Sequence, residues 1–138
     1  MKLASLLLTL SAFPLAAATE LEIVAATLIL EAGCDGKIGM ECVNEVIHTR
    51  SRLRRQSLSV VCLARKQFSA WNRHRKIEHG IAAARKSPLW KKALAIVNAE
   101  PTKHVGASTH YFAHERKADP WGMKVVAVVE GHTFCVGK

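Results

Sequence analysis

Residues 21–33 read LEIVAATLILEAG and decide the fold of this chain. Apolar side chains fill nearly every position from Leu21 to Leu30, so no polar face is left for water to cover. This pattern is typical of a helix that is surrounded by other elements in the core. Gly33 ends the predicted helix, and Glu31 is its last charged residue.

Two further helices are predicted from apolar spacing and capping signals. In the first, the apolar residues recur three and four positions apart, at Met40, Val43, Val46 and Ile47. The other begins at Ser87, an N-cap whose following proline fits the first helical position, and runs to about Ala99.

The C-terminal third has the composition of strands. The β-prone stretches run from Val105 to Phe112, from Lys124 to Val129 and from Thr133 to Val136. Glu130-Gly131, between the last two, predicts a tight hairpin turn. Helices followed by strands, with no repeats or linker, predict a single α+β domain with a cleft between its helical part and a small antiparallel sheet.

The first eighteen residues predict an export signal. Lys2 precedes an apolar run from Leu3 to Leu15, and Ala16-Ala17-Ala18 supplies the small side chains that a signal peptidase needs. The run is short and interrupted, so a membrane anchor is the less favoured interpretation. We expect a signal peptide at residues 1–18, a folded domain at residues 19–138, and a periplasmic, extracellular or cell-wall-associated protein.

The charge of the chain favours an anionic partner. Its 20 Lys and Arg against 11 Asp and Glu give a formal net charge of +9, and the basic residues are concentrated between Arg50 and Lys92. Nucleic acid and cell-envelope polymers both fit this charge, and the export signal favours the envelope polymers over nucleic acid. A basic surface that only aids solubility is the plain alternative.

Four cysteines are present, Cys34, Cys42, Cys62 and Cys135. Thiols in an oxidising compartment usually pair, and the spacing of these four matches no zinc motif. We therefore predict two disulfides of unassigned pairing. The seven histidines contain no H-E-x-x-H pattern, so we predict neither a bound metal nor another cofactor.

Glu31 is the strongest candidate for catalysis. At the C-terminal end of the apolar helix, the helix dipole places partial negative charge beside its carboxylate. Together with the apolar Leu28, Ile29 and Leu30, this favours the protonated carboxyl, the form that a general acid of glycosidic cleavage needs. An ordinary surface glutamate at a helix end is the plain alternative.

A second candidate region is Gln67-Phe68-Ser69-Ala70-Trp71-Asn72, which combines two aromatic rings with three hydrogen-bonding side chains. Sugar rings bind to such surfaces, although a loop pinned to the core by its two aromatic residues explains the pattern equally well. In the following strand, Thr109 and Tyr111 are predicted to share one face and His110 and Phe112 the other, with one face bordering the cleft.

Several segments, in order along the chain, resemble those of the SleB-like cell wall hydrolases, the family of the spore-cortex-lytic enzyme. Residues 30–33, LEAG, resemble that family's Gly-Glu-Ala-Arg-Gly segment, and residues 43–50, VNEVIHTR, resemble its next helix ending in Asn-Arg. Residues 67–71, QFSAW, resemble its Gln-Phe-Ser-Cys-Trp loop, and residues 106–112, GASTHYF, its Gly-Ala-Thr-His-Tyr-Tyr strand. Pro120-Trp121 resembles its Pro-Pro-Trp, and residues 131–134, GHTF, its Gly-Gly-His-x-Phe.

The chain also departs from that pattern. Ile29-Leu30 replaces an aromatic residue and glycine before the glutamate, and Cys34-Asp35-Gly36 replaces the family's Arg-Gly-Glu. Ser108 is an insertion, which we expect a strand bulge to absorb.

The resemblance implies a lysozyme-like catalytic domain and lytic transglycosylase chemistry on the glycan strands of peptidoglycan. Glu31 would protonate the bond between N-acetylmuramic acid and N-acetylglucosamine, then take the proton of the muramoyl 6-hydroxyl as a 1,6-anhydro end forms. We expect a monomer whose cleft is lined by Gln67, Phe68, Ser69, Trp71, Thr109, His110, Tyr111, Trp121 and His132.

Three alternatives remain at the level of sequence. Asp35 or Glu45 could act as a second carboxylate, which would make the reaction a true hydrolysis. The chain could instead be an N-acetylmuramoyl-alanine amidase, a label sometimes attached to this family. It could also be a non-catalytic basic module that binds the cell wall.

Overall fold

The computed structural model describes residues 17–74, 76–113 and 122–137. The predicted signal peptide up to residue 16, and Trp121 of the predicted cleft, lie outside this range. The helices are α1 Glu20–Ala32, α2 Gly36–Arg54, α3 Leu58–Leu63, α4 Ile77–Arg85 and α5 Trp90–Asn98, and the strands are β1 His110–Ala113, β2 Lys124–Val129 and β3 His132–Val136. Short 3-10 turns lie at Gly33–Asp35 and Ser69–Arg73.

Helix α1 is the centre of the molecule, as its all-apolar sequence predicts. It contacts each of the other four helices, and Val24, Ala25, Ala26 and Leu28 are fully buried. Burial of four such side chains removes their apolar surface from water and stabilises the packing of every neighbouring helix. The C-terminal end of α1, which carries Glu31, is thereby fixed within the domain.

Helix α1 begins with a capping box. The side chain of Thr19 accepts a hydrogen bond from the Glu22 backbone N–H, and the Glu22 carboxylate accepts one from the Thr19 N–H. These bonds satisfy two donors that a helix N-terminus otherwise leaves without partners. Arg85 of α4 also donates to Glu22, at 2.6 Å, which joins α4 to the start of α1.

The predicted α2 is confirmed but longer than its apolar spacing indicates, while α3 and α4 were not predicted. Helix α5 begins at Trp90, three residues after the predicted N-cap. Ser87 does not cap α5 itself. Its hydroxyl accepts a hydrogen bond of 3.1 Å from the Leu89 N–H, in the turn that precedes the helix.

The strands form one antiparallel sheet in the order β1-β3-β2, with Tyr111 opposite Phe134 and Ala113 opposite His132. The predicted turn between β2 and β3 is confirmed, and Glu130 has a left-handed φ of 49° there. The α+β prediction is therefore correct.

The predicted start of the first strand is wrong. Residues 105–108 form a turn, because the Ser108 N–H and hydroxyl both donate to the Val105 carbonyl, at 3.2 and 2.6 Å. The expected bulge at Ser108 is also wrong, since Ser108 precedes β1. A register shift lies instead in β2, between Val125 and Ala127.

The prediction of two disulfides is contradicted as well. No disulfide joins Cys34, Cys42, Cys62 or Cys135, all of which lie in the described residues. Cys34 is exposed in the first 3-10 turn, Cys62 belongs to the helical core, and Cys42 packs with Val46 and Phe134 beneath the sheet. Burial raises the pKa of the Cys42 and Cys62 thiols to about 12, so both stay protonated at neutral pH.

No helix in the described part of the chain is both long and apolar enough to cross a membrane.

Candidate active site

Glu31 lies where three parts of the fold meet. Its Oε1 accepts a hydrogen bond of 2.8 Å from the backbone N–H of Ala70, in the 3-10 turn Ser69–Arg73. Its Oε2 accepts one of 2.9 Å from the hydroxyl of Tyr111 on β1. The carboxylate thus joins the end of α1 to the aromatic loop and to the sheet, with one donor on each oxygen. A carboxyl oxygen has two acceptor positions, so each keeps one for a proton or a ligand.

Glu31 opens into a cleft of about 380 Å³ between the helices and the sheet. The structure brings six of the predicted site residues together in its lining, namely Glu31, Gln67, Ser69, His110, Tyr111 and His132. The lining also includes four residues that were not predicted, Arg50, Lys66, Phe112 and Ala113. Of the described residues that line the cleft, Glu31 alone is acidic.

Tyr111 is held in place by its ring neighbours. The ring of His132 stands edge-on to it at 5.3 Å, and the ring of Phe134 lies 5.6 Å away. Burial, together with the nearby charge of Glu31, raises the pKa of the Tyr111 hydroxyl well above its ordinary value. The hydroxyl therefore keeps its proton and acts as a donor to Glu31 over the whole neutral range.

Arg50 is a buried cation in the wall of the cleft, only 6% exposed. Its Nε donates to the Thr109 carbonyl at 2.7 Å, and its guanidinium carbon lies 5.2 Å from the centroid of the Phe68 ring. Burial lowers the pKa of Arg50, although an arginine stays charged in proteins. Arg50 therefore joins α2 to the aromatic loop and to the start of β1. Sequence reasoning missed it, because a basic residue in the last turns of a helix is usually a solvated one.

Three predicted cleft residues lie elsewhere. Phe68 is 2% exposed and belongs to the helical core, so its ring is not available for stacking on a sugar. Trp71 packs against the helices, and its indole N–H donates to the Thr27 hydroxyl at 3.0 Å. The Thr109 hydroxyl accepts a hydrogen bond of 2.9 Å from the backbone N–H of Gly137, the residue after β3, and so joins the end of β3 to the start of β1. The alternative interpretation of the aromatic loop, in which it is pinned to the core, is the one that the structure supports.

The two candidates for a second carboxylate have other partners. Glu45 is 4% exposed, and its oxygens accept from the Thr102 hydroxyl and from the backbone N–H groups of His104 and Val105, at 2.6, 2.7 and 2.9 Å. It anchors the loop that follows α5. Asp35 contacts His132 rather than the cleft, with 2.7 Å between Asp35 Oδ2 and His132 Nδ1.

The histidines of the site differ in their surroundings. Burial lowers the pKa of His110, and the charges of Arg50 and Arg54 act in the same direction, so its ring is neutral at neutral pH. His132 has the carboxylate of Asp35 beside it. Within the described residues, no three His, Cys, Asp or Glu side chains come together as a set of metal ligands.

The chain matches one known protein family and the fold of one solved structure. A family described as Cell Wall Hydrolase matches residues 34–135 of the chain. The matched range begins three residues after Glu31, so it does not include that residue. No curated protein matches the chain.

A solved structure with the same fold is the catalytic domain of the germination-specific lytic transglycosylase SleB from Bacillus anthracis. The two chains are 19% identical and superpose with a TM-score of 0.66 over 89% of this chain and 99% of the other. At this identity the likeness shows the fold alone, and it confirms the predicted lysozyme-like architecture.

Proposed function

The chain belongs to the cell wall hydrolase family and is a peptidoglycan-degrading enzyme, and from this premise we propose that it is a lytic transglycosylase with Glu31 as its catalytic acid and base. The bond cleaved joins N-acetylmuramic acid to N-acetylglucosamine. The observation that carries the proposal is the carboxylate of Glu31, which opens into the cleft and is held by donors from two separate elements.

The proposed reaction needs one carboxyl group. Glu31 gives its proton to the glycosidic oxygen as the bond from that oxygen to the muramoyl anomeric carbon breaks. The muramoyl 6-hydroxyl then bonds to the same carbon and returns its proton to Glu31, so the enzyme ends in its starting state. The Ala70 N–H and the Tyr111 hydroxyl stabilise the carboxylate between these steps, because both donate to it. Glu31 is the one acidic residue in the described lining of the cleft, which fits this chemistry.

The surroundings of the cleft support an anionic substrate. Between Glu45 and Glu78 the sequence has nine Lys and Arg and no Asp or Glu. Within the described chain, no ion pair neutralises a basic residue of this stretch. Lys66 lines the cleft, and Arg54 donates to Gln67 at 2.9 Å. We propose that this stretch holds the enzyme on peptidoglycan and other anionic polymers of the cell envelope.

Export through a signal peptide is part of the same proposal. Cleavage after Ala18 leaves Thr19 as the first residue, so the mature chain starts at the N-cap of α1. N-terminal sequencing of the exported protein tests this, with Thr19 as the expected first residue.

The function itself is tested on purified peptidoglycan, by mass spectrometry of the soluble fragments. We expect 1,6-anhydromuropeptides from the wild type and from Glu78→Gln, an exposed glutamate of α4 that serves as the matched control, and none from Glu31→Gln. Circular dichroism shows whether each variant is folded.

Other products would point to the alternatives. Reducing muramic acid ends mean hydrolysis, and released stem peptides mean an amidase. No fragments from a folded wild type that still sediments with peptidoglycan would mean a wall-binding module.

A further inference from the structure

Asp35 occupies a gap that two glycines keep open. It lies in the 3-10 turn immediately after α1, between α2 and the turn joining β2 to β3. A Cβ at Gly39 would lie 2.3 Å from the Cβ of Asp35, and one at Gly131 would lie 2.9 Å from its Oδ1. No other residue fits at either position without displacing the aspartate, so the fold makes room for this side chain from two sides, for its Cβ at Gly39 and for its carboxylate at Gly131.

The carboxylate in this gap holds His132. The 2.7 Å contact between Asp35 Oδ2 and His132 Nδ1 is shielded from water, with the two side chains 13% and 17% exposed. His132 lines the cleft, whereas Asp35 does not. The ring is fixed on its other side by Tyr111, which meets it edge-on at an interplanar angle of 82°. The imidazole is thus oriented by neighbours from both the helical part and the sheet.

We propose that Asp35 is a positioning residue and that His132 is a specificity-determining residue of the cleft. The carboxylate oxygen of Asp35 lies 2.7 Å from Nδ1, and its negative charge favours a proton over a lone pair on that nitrogen of the neutral ring, so that Nε2 carries the lone pair. Nε2 then accepts a hydrogen bond from an N–H or O–H group of the saccharide, and the acetamido N–H of an N-acetylated sugar has the required chemistry. The inference rests on the proposed function, because it names how the same cleft holds its substrate.

The role of Asp35 follows from how a carboxylate selects a tautomer. An acceptor beside one ring nitrogen keeps the proton on that nitrogen, and the other nitrogen becomes the acceptor. Replacing Asp35 by Asn offers an amide donor in the same place, which favours the opposite tautomer and turns Nε2 into a donor. A merely structural Asp35 would leave the tautomer of His132 unchanged.

The first test reads the tautomer directly by long-range ¹H–¹⁵N correlation of the full-length folded protein, at a pH where the ring is neutral. The spectrum of His132→Gln assigns the signals of His132 among the seven histidines. We expect the Nδ1–H tautomer in the wild type and the Nε2–H tautomer in Asp35→Asn. A wild-type ring that carries its proton on Nε2, or no change in Asp35→Asn, would overturn the proposal.

The second test measures binding without turnover. In a Glu31→Gln background, the N-acetylglucosamine–N-acetylmuramic acid disaccharide is titrated against Asp35→Asn, His132→Ala and His132→Gln. We expect binding to weaken roughly tenfold in the first two, as is typical when a hydrogen bond is lost. Binding should be partly restored in His132→Gln, whose amide can still bond the sugar.

Glu130→Gln, in the exposed turn beside His132, is the matched control and should bind as the background protein does. Equal affinity in all the variants would contradict the role given to His132. Failure of the proposed function would appear separately, as an absence of anhydromuropeptides from the wild-type enzyme.

Discussion

Tyr111 is the residue on which the carboxylate of Glu31 most directly depends. Tyr111→Phe removes the 2.9 Å donor to Oε2 and leaves the ring packing against His132 and Phe134 intact. A hydrogen bond to a charged group contributes about 1.5–3 kcal/mol, so we expect kcat to fall roughly tenfold to hundredfold. The check is the rate of muropeptide release.

Glu78→Gln is the control for Tyr111→Phe, because Glu78 is exposed on α4 and does not line the cleft. A kcat of Tyr111→Phe equal to that of the wild type would show that the bond to Tyr111 has no part in the reaction.

Trp71 has a structural role in this fold, and a substitution at its hydrogen-bond partner Thr27 tests that role. Thr27→Val keeps the shape of the buried Thr27 and leaves the Trp71 indole N–H without its acceptor. We expect the free energy of unfolding to fall by about 1–3 kcal/mol, while kcat and KM stay at wild-type values. Urea unfolding and muropeptide release measure the two effects. A change in KM with no loss of stability would instead show that Trp71 takes part in substrate binding.

The elements are joined by a few charged side chains, and Glu22 is the one at the start of α1. Its bond with the Thr19 N–H, followed by its pairing with Arg85, lowers the pKa of Glu22 below its ordinary value. A lowered folded-state pKa contributes stability above the ordinary pKa of 4.5, and this contribution is lost as the pH falls through the lowered value. We therefore expect Glu22→Gln to lower Tm near neutral pH.

The gap in Tm between the wild type and Glu22→Gln should shrink between neutral pH and a pH below the lowered pKa of Glu22, because the protonated glutamate is uncharged as glutamine is. Thermal unfolding followed by circular dichroism measures it, with Glu78→Gln as the control. A gap that is the same at both pH values would mean that the charge of Glu22 is not what stabilises α1.

Helix α2 anchors the loop after α5 through Glu45. In Glu45→Gln, an NH₂ group replaces one of the two oxygens that accept from three donors. At least one hydrogen bond is then lost, and the new NH₂ group lies against a donor instead of an acceptor. We expect the free energy of unfolding to fall by about 2 kcal/mol, with the products of the reaction unchanged. If the wild type instead releases reducing muramic acid ends and a folded Glu45→Gln does not, Glu45 is the second carboxylate of a hydrolysis.

The elements also show where local patterns suffice as predictors. The apolar sequence of α1 and the apolar spacing of α2 are enough to predict these two helices, because each helix forms by burying its own apolar side chains. Helices α3 and α4 carry short apolar patterns within a basic stretch, and their burial depends on α1, which they both contact. The first strand begins late because Ser108 forms a turn with Val105 that no alternation of polar and apolar residues reveals.

At the scale of the whole molecule, the cleft is assembled from distant segments, and this limits what the sequence predicts of it. Glu31 and Tyr111 could be nominated by residue type and by resemblance. Their bond could not, because it joins residues 80 positions apart. Arg50 and Asp35 act through contacts that form only in the folded chain. Phe68 and Trp71 have the side chains of sugar-binding residues, and only the structure shows that they pack in the core.

The distribution of charge over the molecule yields the last prediction. Arg52 and Arg55 are exposed in the acid-free stretch, and neither lines the cleft. Arg52→Glu/Arg55→Glu should weaken binding to intact peptidoglycan sacculi by about tenfold at low salt and reduce the salt dependence of binding, since attraction between exposed charges is screened by ions. Lys91→Glu/Lys92→Glu on α5 changes the net charge by the same amount and is the matched control. If both double variants weaken binding equally in a sedimentation assay, net charge alone draws the enzyme to the wall. If only the first does, the basic stretch beside the cleft is the surface that meets the polymer.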